Sequence, residues 1–592
     1  MGIIIDFCRM VKLKGNRMNW SIRLIALCVF SVLGTPFSFG QQLYPTDYFR
    51  SPLEIPLNLS GNFGELRTNH FHSGIDIKTN QMEGLPVVAA AGGFVSRIKV
   101  SAVGYGYALY IDHPNGYTTV YGHLKSYSAK IDAYVKEQQF KQQSFAVDLF
   151  PAATALPVEK GELVALSGNT GGSGGPHLHF EVRETVSEKL INPLHFGFQV
   201  KDKIPPSILG VWIIPMSDST WVNGVRSPKT FETAAKKGNV GLKTTTLPTV
   251  YGDIAFAIHT SDMYDGNANR CGIYRIELYV DGLQVYGQQM DRLDFTTNRA
   301  MNAHTIYEKF KKDRSSIHGS FRLPGNPLDI YDNLVNDGIV TFKDGKKHLI
   351  EYVVKDLMGN TSSVKFNVQA LPKATAKVPP PADFIARWDW EILNTYSDAR
   401  LKLEMPPYTL YEDLNLTISE SKTIASSITP TYKIASPYEP IHSPYTLSIH
   451  APKVSKKLES KAVVVRWDPD KEKLSSEGGK MENGWITAKP SYLGYFGVAI
   501  DTVAPNITNV SFGPNMAGKG SFTIKISDYL SGIDKYIPMI DGQWALMEHD
   551  AKTNRLIYYF DPRYISMGTH TFELTVIDVV GNSKTFKGNF VY

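Results

Sequence analysis

The chain has 592 residues, of which 43% are hydrophobic, 11% aromatic and 20% charged, a balance that excludes wholesale disorder and, at this length, predicts about four separate cores. Its net charge of +5 resides mostly at the start: the first forty residues hold five bases (Arg9, Lys12, Lys14, Arg17, Arg23) against Asp6, which leaves +1 for the remainder. With no Lys/Arg stripe in the motif-bearing region, nucleic acid is excluded as the expected partner. Only Cys271 lies beyond that opening segment, so an internal disulfide is excluded there and any metal must be held by His and carboxylate.

Residues 1–40 read as a signal peptide. Arg17 and Arg23 flank a polar start, Leu24 to Gly34 is almost wholly apolar, and Ser38-Phe39-Gly40 offers small residues for a cut before Gln41. Met18 is an alternative start. The apolar run is too short to span a bilayer comfortably, and Leu27 before Cys28 disfavours a lipid anchor. Export to the periplasm, cell surface or medium is expected, with no transmembrane helix in the mature protein.

After a lead segment, 41–59, residues 60–200 hold short β-type runs such as Val87 to Ala91, Gly93 to Val100, Ala108 to Asp112 and Tyr117 to Tyr121. Gly104-Tyr105-Gly106 and Pro114-Asn115-Gly116 supply turns between them. An antiparallel β domain is predicted. Within it, about 130–156 reads as an insertion: Lys130 to Gln143 is rich in helix formers, with Ile131, Tyr134, Val135 and Phe140 as candidate apolar positions, and Phe145 to Pro151 looks extended. Because both ends lead to histidine-bearing strands, the insertion is expected at the edge of a groove, as a wall that restricts what enters.

Residues 205–370 change to longer alternating strands, 371–382 form a Pro-rich linker, and 383–500 read as a further β domain. The first and last of the later segments repeat each other. Gly272-Ile273 precedes Asp281-Gly282 as Gly532-Ile533 precedes Asp541-Gly542, and His348, Asp356 and Gly359-Asn360 share their spacing with His570, Asp578 and Gly581-Asn582. Hairpin turns at these pairs predict immunoglobulin-like sandwiches over 205–370 and 501–592. The fold class is mainly β: an antiparallel domain followed by several β-sandwiches. Asp262, Asp265, Asn267 and Asn269 form an oxygen-rich loop that suits calcium, with a plain polar loop as the simpler reading; Asp528 to Gly532 in the second repeat lacks the extra residues. Residues 383–592 contain no His, Cys and carboxylate cluster at ligand spacing, and are expected to serve as spacers or binding units.

The chemistry concentrates in His72-Ser73-Gly74-Ile75-Asp76, Tyr121-Gly122-His123-Leu124 and His177-Leu178-His179. In a strand, His177 and His179 share a face while Leu178 turns to the core. His72 and Asp76 flank a Ser-Gly turn that lets imidazole and carboxylate converge. Two His and one carboxylate with a fourth position open to water is the catalytic zinc set. Either motif alone is weak; their joint occurrence in this order is specific. Glu181 shares the face of His179, either orienting an imidazole or forming a rim salt bridge. His70 is an alternative ligand, whereas His113 and His259 read as ordinary turn or strand histidines.

These residues make the segment 60–198 resemble the lysostaphin-type (M23, LytM-like) zinc metallopeptidases, including Pro86-Val87-Val88-Ala89-Ala90, Gly104-Tyr105-Gly106 and Gly168-Asn169-Thr170-Gly171. The resemblance implies that His72, Asp76 and His179 ligate Zn2+ and that His123 and His177 are catalytic. It implies a peptidoglycan endopeptidase acting on stem peptides or cross-bridges, with zinc-activated water as nucleophile, His177 as general base and His123 as donor to the oxyanion. A non-catalytic activator of other wall hydrolases, or an adhesion scaffold, is the alternative; the complete residue set argues against it.

Overall fold

The computed structural model describes residues 44–234, 239–373 and 383–592. The predicted targeting segment and most of the Pro-rich linker lie outside the described residues. Alternation and turn chemistry divide the first domain into strands β1 (Leu59–Gly61), β2 (Ile75–Lys78), β3 (Gly93–Val100), β4 (Tyr107–Asp112), β5 (Tyr117–Leu124), β6 (Val147–Leu149) and β7 (His177–Glu184). They pair antiparallel in the order β1-β2-β7-β5-β4-β3-β6. Ile75 and Ile77 of β2, Leu178, Phe180 and Val182 of β7, and Tyr121 of β5 are buried, so register is set by apolar burial on one face. A second sheet joins Pro86–Val88, Leu163–Leu166 and Ser126–Tyr127. Gly106 sits at φ +65, and a Cβ there would lie 2.3 Å from Thr170 Oγ1, so the turn that seats the Thr170 loop needs glycine.

The insertion contains helix α1, Ala129–Gln142, between β5 and β6. Ile131, Val135 and Gln139, spaced by one turn each, are its buried stripe, and Gln143 in the left-handed conformation ends it. The extended stretch that follows becomes β6 on the edge of the sheet. Phe140 falls off the buried stripe. It stacks on Tyr564 at a ring separation of 4.2 Å and meets Trp544 edge-on at 5.4 Å, so the insertion is braced against the last domain.

The remaining chain is built from paired sheets. Residues 207–370 form one twelve-stranded sheet that closes on itself where Asn239–Leu242 and Thr249–Ser261 both run parallel to Thr361–Ala370, enclosing Phe256, Ile276, Tyr352 and Val364. Two five-stranded sheets between 394 and 500 enclose a core with Met405, Leu447 and Phe496, and two four-stranded sheets between 506 and 591 enclose Phe522, Leu574 and Phe590.

These parts interlock within one compact unit, residues 46–592. Leu190–Ile191, next to β7, pairs with Arg292–Leu293, so the first domain's sheet continues into the second. Phe63, Leu66 and Phe71 share an apolar cluster with Met290, Met301, Phe310 and Tyr411. Asn69 donates to the hydroxyl of Tyr492 at 2.7 Å, and Lys552 donates to the carbonyls of Asn169 and Ser173. The later domains therefore reach the loops around the histidines, which an independent spacer would not do. No helix among the described residues is long and apolar enough to cross a membrane.

Phe140→Ala is expected to lower stability by roughly 1–3 kcal/mol, from lost apolar burial and ring stacking. Differential scanning calorimetry with limited proteolysis would check it: residues 501–592 should become cleavable at lower temperature, and an unchanged digestion profile would show that the stack does not brace the helix.

Candidate metal centre

The site forms where β2, β5 and β7 lie side by side. Register places His179 opposite Asp76 on one side and opposite Gly122 on the other. His72 stands just before the turn into β2, and that turn depends on Gly74: a Cβ there would approach the Phe180 carbonyl oxygen to 2.3 Å. His72, Asp76 and His179 are 5%, 6% and 2% exposed.

Three atoms converge. His72 Nε2 lies 3.0 Å from Asp76 Oδ1 and 3.1 Å from His179 Nδ1, and the latter lies 2.9 Å from the same carboxylate oxygen. The far nitrogen of each ring is already committed: His72 Nδ1 donates to the Asn62 carbonyl at 2.8 Å, and His179 Nε2 donates to Glu181 Oε1 at 2.9 Å. The facing atoms are thus two imidazole lone pairs and a carboxylate oxygen, a triangle that requires a positive charge in its middle. Tetrahedral zinc with ligands at about 2.0–2.1 Å has ligand–ligand edges of about 3.3 Å. The donor set and its spacing fit that ion.

Burial works against a charged His179, yet its hydrogen bonds to Asp76 and Glu181 outweigh burial and hold its pKa up to about 9. For His72, burial prevails over the attraction of Asp76 and the pKa falls. Asp76 is held well below the usual carboxylate range: burial opposes this, but its attraction to the imidazoles of His72, His177 and His179 packed around it prevails.

Glu181, 0% exposed, organises the surroundings. Besides His179 it accepts from Ser73 Oγ and the Tyr105 hydroxyl, both at 2.5 Å, and from Arg183 Nε at 2.7 Å. Glu181 combines the two readings: it accepts from the imidazole of His179 and forms an ion pair with Arg183, buried rather than at a rim. Arg183 keeps the buried carboxylate ionised, and deleting it would leave an uncompensated charge at a cost of about 3–5 kcal/mol. Tyr105 also stacks on His179, with ring centres 5.0 Å apart. The other oxygen of Asp76 accepts from Arg67 Nη2 at 3.0 Å, leaving Oδ1 to face the rings.

His123 and His177 flank the triangle, with rings 4.7 Å apart. His177 Nδ1 donates to the Gly175 carbonyl at 2.8 Å, and its Nε2 lies 3.4 Å from Asp76 Oδ1. His123 has φ +59 at a bulge in the pairing of β4 and β5, which turns its ring into the site. Its Nδ1 donates to the Thr170 carbonyl at 2.8 Å. Burial, then the nearby charges of His179 and His177, push its pKa down to about 3. Neutral His123 therefore offers a lone pair at Nε2, and it donates to an oxyanion only after accepting a proton. This differs from a resting donor, because the Thr170 carbonyl holds its only N–H.

All five predicted residues thus meet at one place. His70 does not: it is exposed and its Nδ1 pairs with the Thr68 carbonyl. His113 bonds Gly92 and Thr119, and His259 lies in a strand of the second domain. Sequence reasoning missed Asn62, Ser73, Tyr105 and Arg67 as supports. The period-two face of His179, Glu181 marked one side of that network, but nothing in the spacing marked partners from distant turns.

Residues 70–140 match the model of peptidase family M23, and residues 386–501 match that of a Zu5-like domain. Over 153 residues the chain is 33% identical to an uncharacterized metalloprotease of Haemophilus influenzae, covering 25% of this chain and 26% of that protein. Over 129 residues it is 34% identical to the DD-carboxypeptidase/endopeptidase Mpg of Neisseria meningitidis, covering 22% and 23%. A solved zinc containing peptidase from Vibrio cholerae aligns at 27% identity over 23% of this chain and 37% of that chain, with a TM-score of 0.16. The chain spans about a quarter of the length of the curated relatives it matches. With the match opening two residues before His72 and taking in Asp76 and His123, this chain carries a peptidase domain of family M23.

Proposed function

We propose that the domain is a zinc-dependent endopeptidase that hydrolyses peptide cross-links of bacterial peptidoglycan in an exported protein. The observation that carries this reading is the triangle of His72 Nε2, Asp76 Oδ1 and His179 Nδ1, whose three donors face one point with their other polar atoms committed elsewhere. Zinc held there would polarise the scissile carbonyl and lower the pKa of water toward neutrality.

The chain's own groups supply the rest. With its Nδ1 facing the Gly175 carbonyl, His177 turns Nε2 toward the site, where it would accept the proton of the attacking water. That proton would then pass from His177 to the amine nitrogen as the C–N bond breaks, while the His123 ring, 4.7 Å from that of His177, borders the place where the oxyanion develops. Glu181 fixes the plane of His179 and excludes a second tautomer. The Neisseria relative's printed name, DD-carboxypeptidase/endopeptidase, supports a link between D-amino acids as the bond cut.

Incubating the zinc-loaded chain with defined cross-linked muropeptides, followed by mass analysis of products, tests the reading. Release of monomers is expected, and zinc-loaded protein that leaves every cross-link intact would sink it. Asp76→Ala and His179→Ala should lose metal and activity together, whereas His123→Ala should keep zinc, by plasma mass spectrometry, and lose about 10²–10³ in kcat. Glu181→Gln should weaken zinc binding about 10–100-fold.

The sign of the pH effect follows from His179. Its folded pKa, about 9, lies above its ordinary value, so the bare site carries that proton below 9 and loses it as pH rises through 9. Zinc must displace it, so titration calorimetry in buffers of different ionisation enthalpy should report about one proton released per ion at pH 7.5 and progressively fewer above pH 9. Release independent of pH across that range would contradict the assignment.

A further inference from the structure

Away from the histidines, Asp202, Asp262 and Asp356 bring one carboxylate oxygen each to within 4.8 Å of one another. They come from the segment leaving the peptidase domain, from the residue after strand Thr249–Ser261, and from the residue after strand Lys347–Lys355. Asp262 is 1% exposed, yet neither of its carboxylate oxygens has a hydrogen-bond partner, and Asp202 Oδ2 has none either. A cavity of about 10 Å³ opens on Asp262 and Asp356, bounded also by Asn62, Tyr264 and Gly272. That volume suits one small ion or one water. Burial, then the charge of Asp202, pushes the Asp262 carboxyl up to about 8, and no basic group offsets either effect.

The last domain contains the same constellation, solved differently. Asp501, Asp528 and Asp578 take the equivalent places, and Asn582 bridges Asp578 to the Asp501 carbonyl as Asn360 bridges Asp356 to the Asp202 carbonyl. In the first copy Asp202 accepts from the Ile204 amide and Asp356 from the Asn360 amide, but Asp262 accepts none, whereas in the last domain every carboxylate is capped by backbone amides. Asp528 accepts from Leu530 and Gly532, and Asp501 accepts from Val503 and Ser531. The short turn Tyr529–Gly532 aims those amides inward. In the first copy, six more residues separate the aspartate from the Gly-Ile pair, and the longer loop is used otherwise: Asn267 reaches the Leu59 carbonyl and Lys78. Asp262 thereby loses its caps and remains buried and unpaired.

We propose that Asp202, Asp262 and Asp356 bind a calcium ion at the junction between the peptidase domain and the domain that follows it, while the amide-capped copy in the last domain binds none. All three donors are hard oxygens, and calcium with ligands at about 2.3–2.6 Å spans oxygens up to about 5 Å apart, wider than the zinc triangle allows. Three carboxylates share so small a space only with a cation, or a proton on Asp262, among them. The ion would steady Asn62, whose side chain bonds the backbone of Gly272 at 2.9 and 2.7 Å and whose carbonyl takes the His72 proton. This assignment is independent of what the zinc site cleaves.

Terbium luminescence, sensitised by nearby tyrosines, reads the site in the full chain saturated with zinc. One terbium ion per chain should bind, displaced by calcium and not by zinc. Asp262→Asn should weaken binding at least tenfold, and Asp528→Asn should leave it unchanged. Calcium should raise the thermal midpoint of the parent chain and not of Asp262→Asn; if that variant does not fold, the half-buried Asp202→Asn serves in its place. Binding that survives Asp262→Asn and Asp202→Asn, binding lost through Asp528→Asn, or a parent chain whose midpoint ignores calcium would each overturn the proposal.

Discussion

The register of β7 against its two neighbours governs the rest of the molecule's chemistry. With His179 opposite Asp76 and Gly122, one imidazole meets a carboxylate from one side and finds room from the other. A slip of one residue would turn His177, His179 and Glu181 toward the core and Leu178 and Phe180 into the cleft. That exchange is prevented by burial of Leu178, Phe180 and Val182 against Ile75, Ile77 and Tyr121, each large side chain contributing roughly 1.5–3 kcal/mol by leaving water. The polar face is held in place by the apolar one.

On that face, electrostatic demand increases outward from the triangle. Two lone pairs and a carboxylate oxygen need a cation; Glu181 needs Arg183; Asp76 needs Arg67 at its second oxygen. Each layer compensates the one inside it, which is why so many ionisable groups lie below a tenth exposed without disrupting the fold. The same logic separates the two aspartate clusters. Where backbone amides compensate, the site is complete; where a longer loop carries them away, charge must come from elsewhere.

The domains that follow are part of this arrangement. The sheet of the peptidase domain runs on into Arg292–Leu293, Asn298 bonds both backbone atoms of Phe71 beside His72, and Lys552 reaches the loop whose Thr170 carbonyl holds His123. The insertion helix, expected as a wall of the groove, has Phe140 engaged with Tyr564 and Trp544.

By itself, the sequence determined the β class, the repeated turn pairs of the second and last domains, the helix near 130–142, and the five residues His72, Asp76, His123, His177 and His179. The elements were legible because local rules suffice, as period two places His177 and His179 on one face and glycine pairs mark turns, whereas the five residues were grouped by the resemblance to the M23 peptidases. Only the tertiary structure decided that Asn62, Tyr105, Ser73 and Arg67 support the ligands, that Asp262 joins Asp202 and Asp356 rather than Asp265, Asn267 and Asn269, and that residues 383–592 return to the peptidase domain. Those partners are separated by tens to hundreds of residues, and spacing along a chain carries no record of contacts that arise only when buried charges and apolar faces find compensation across domains.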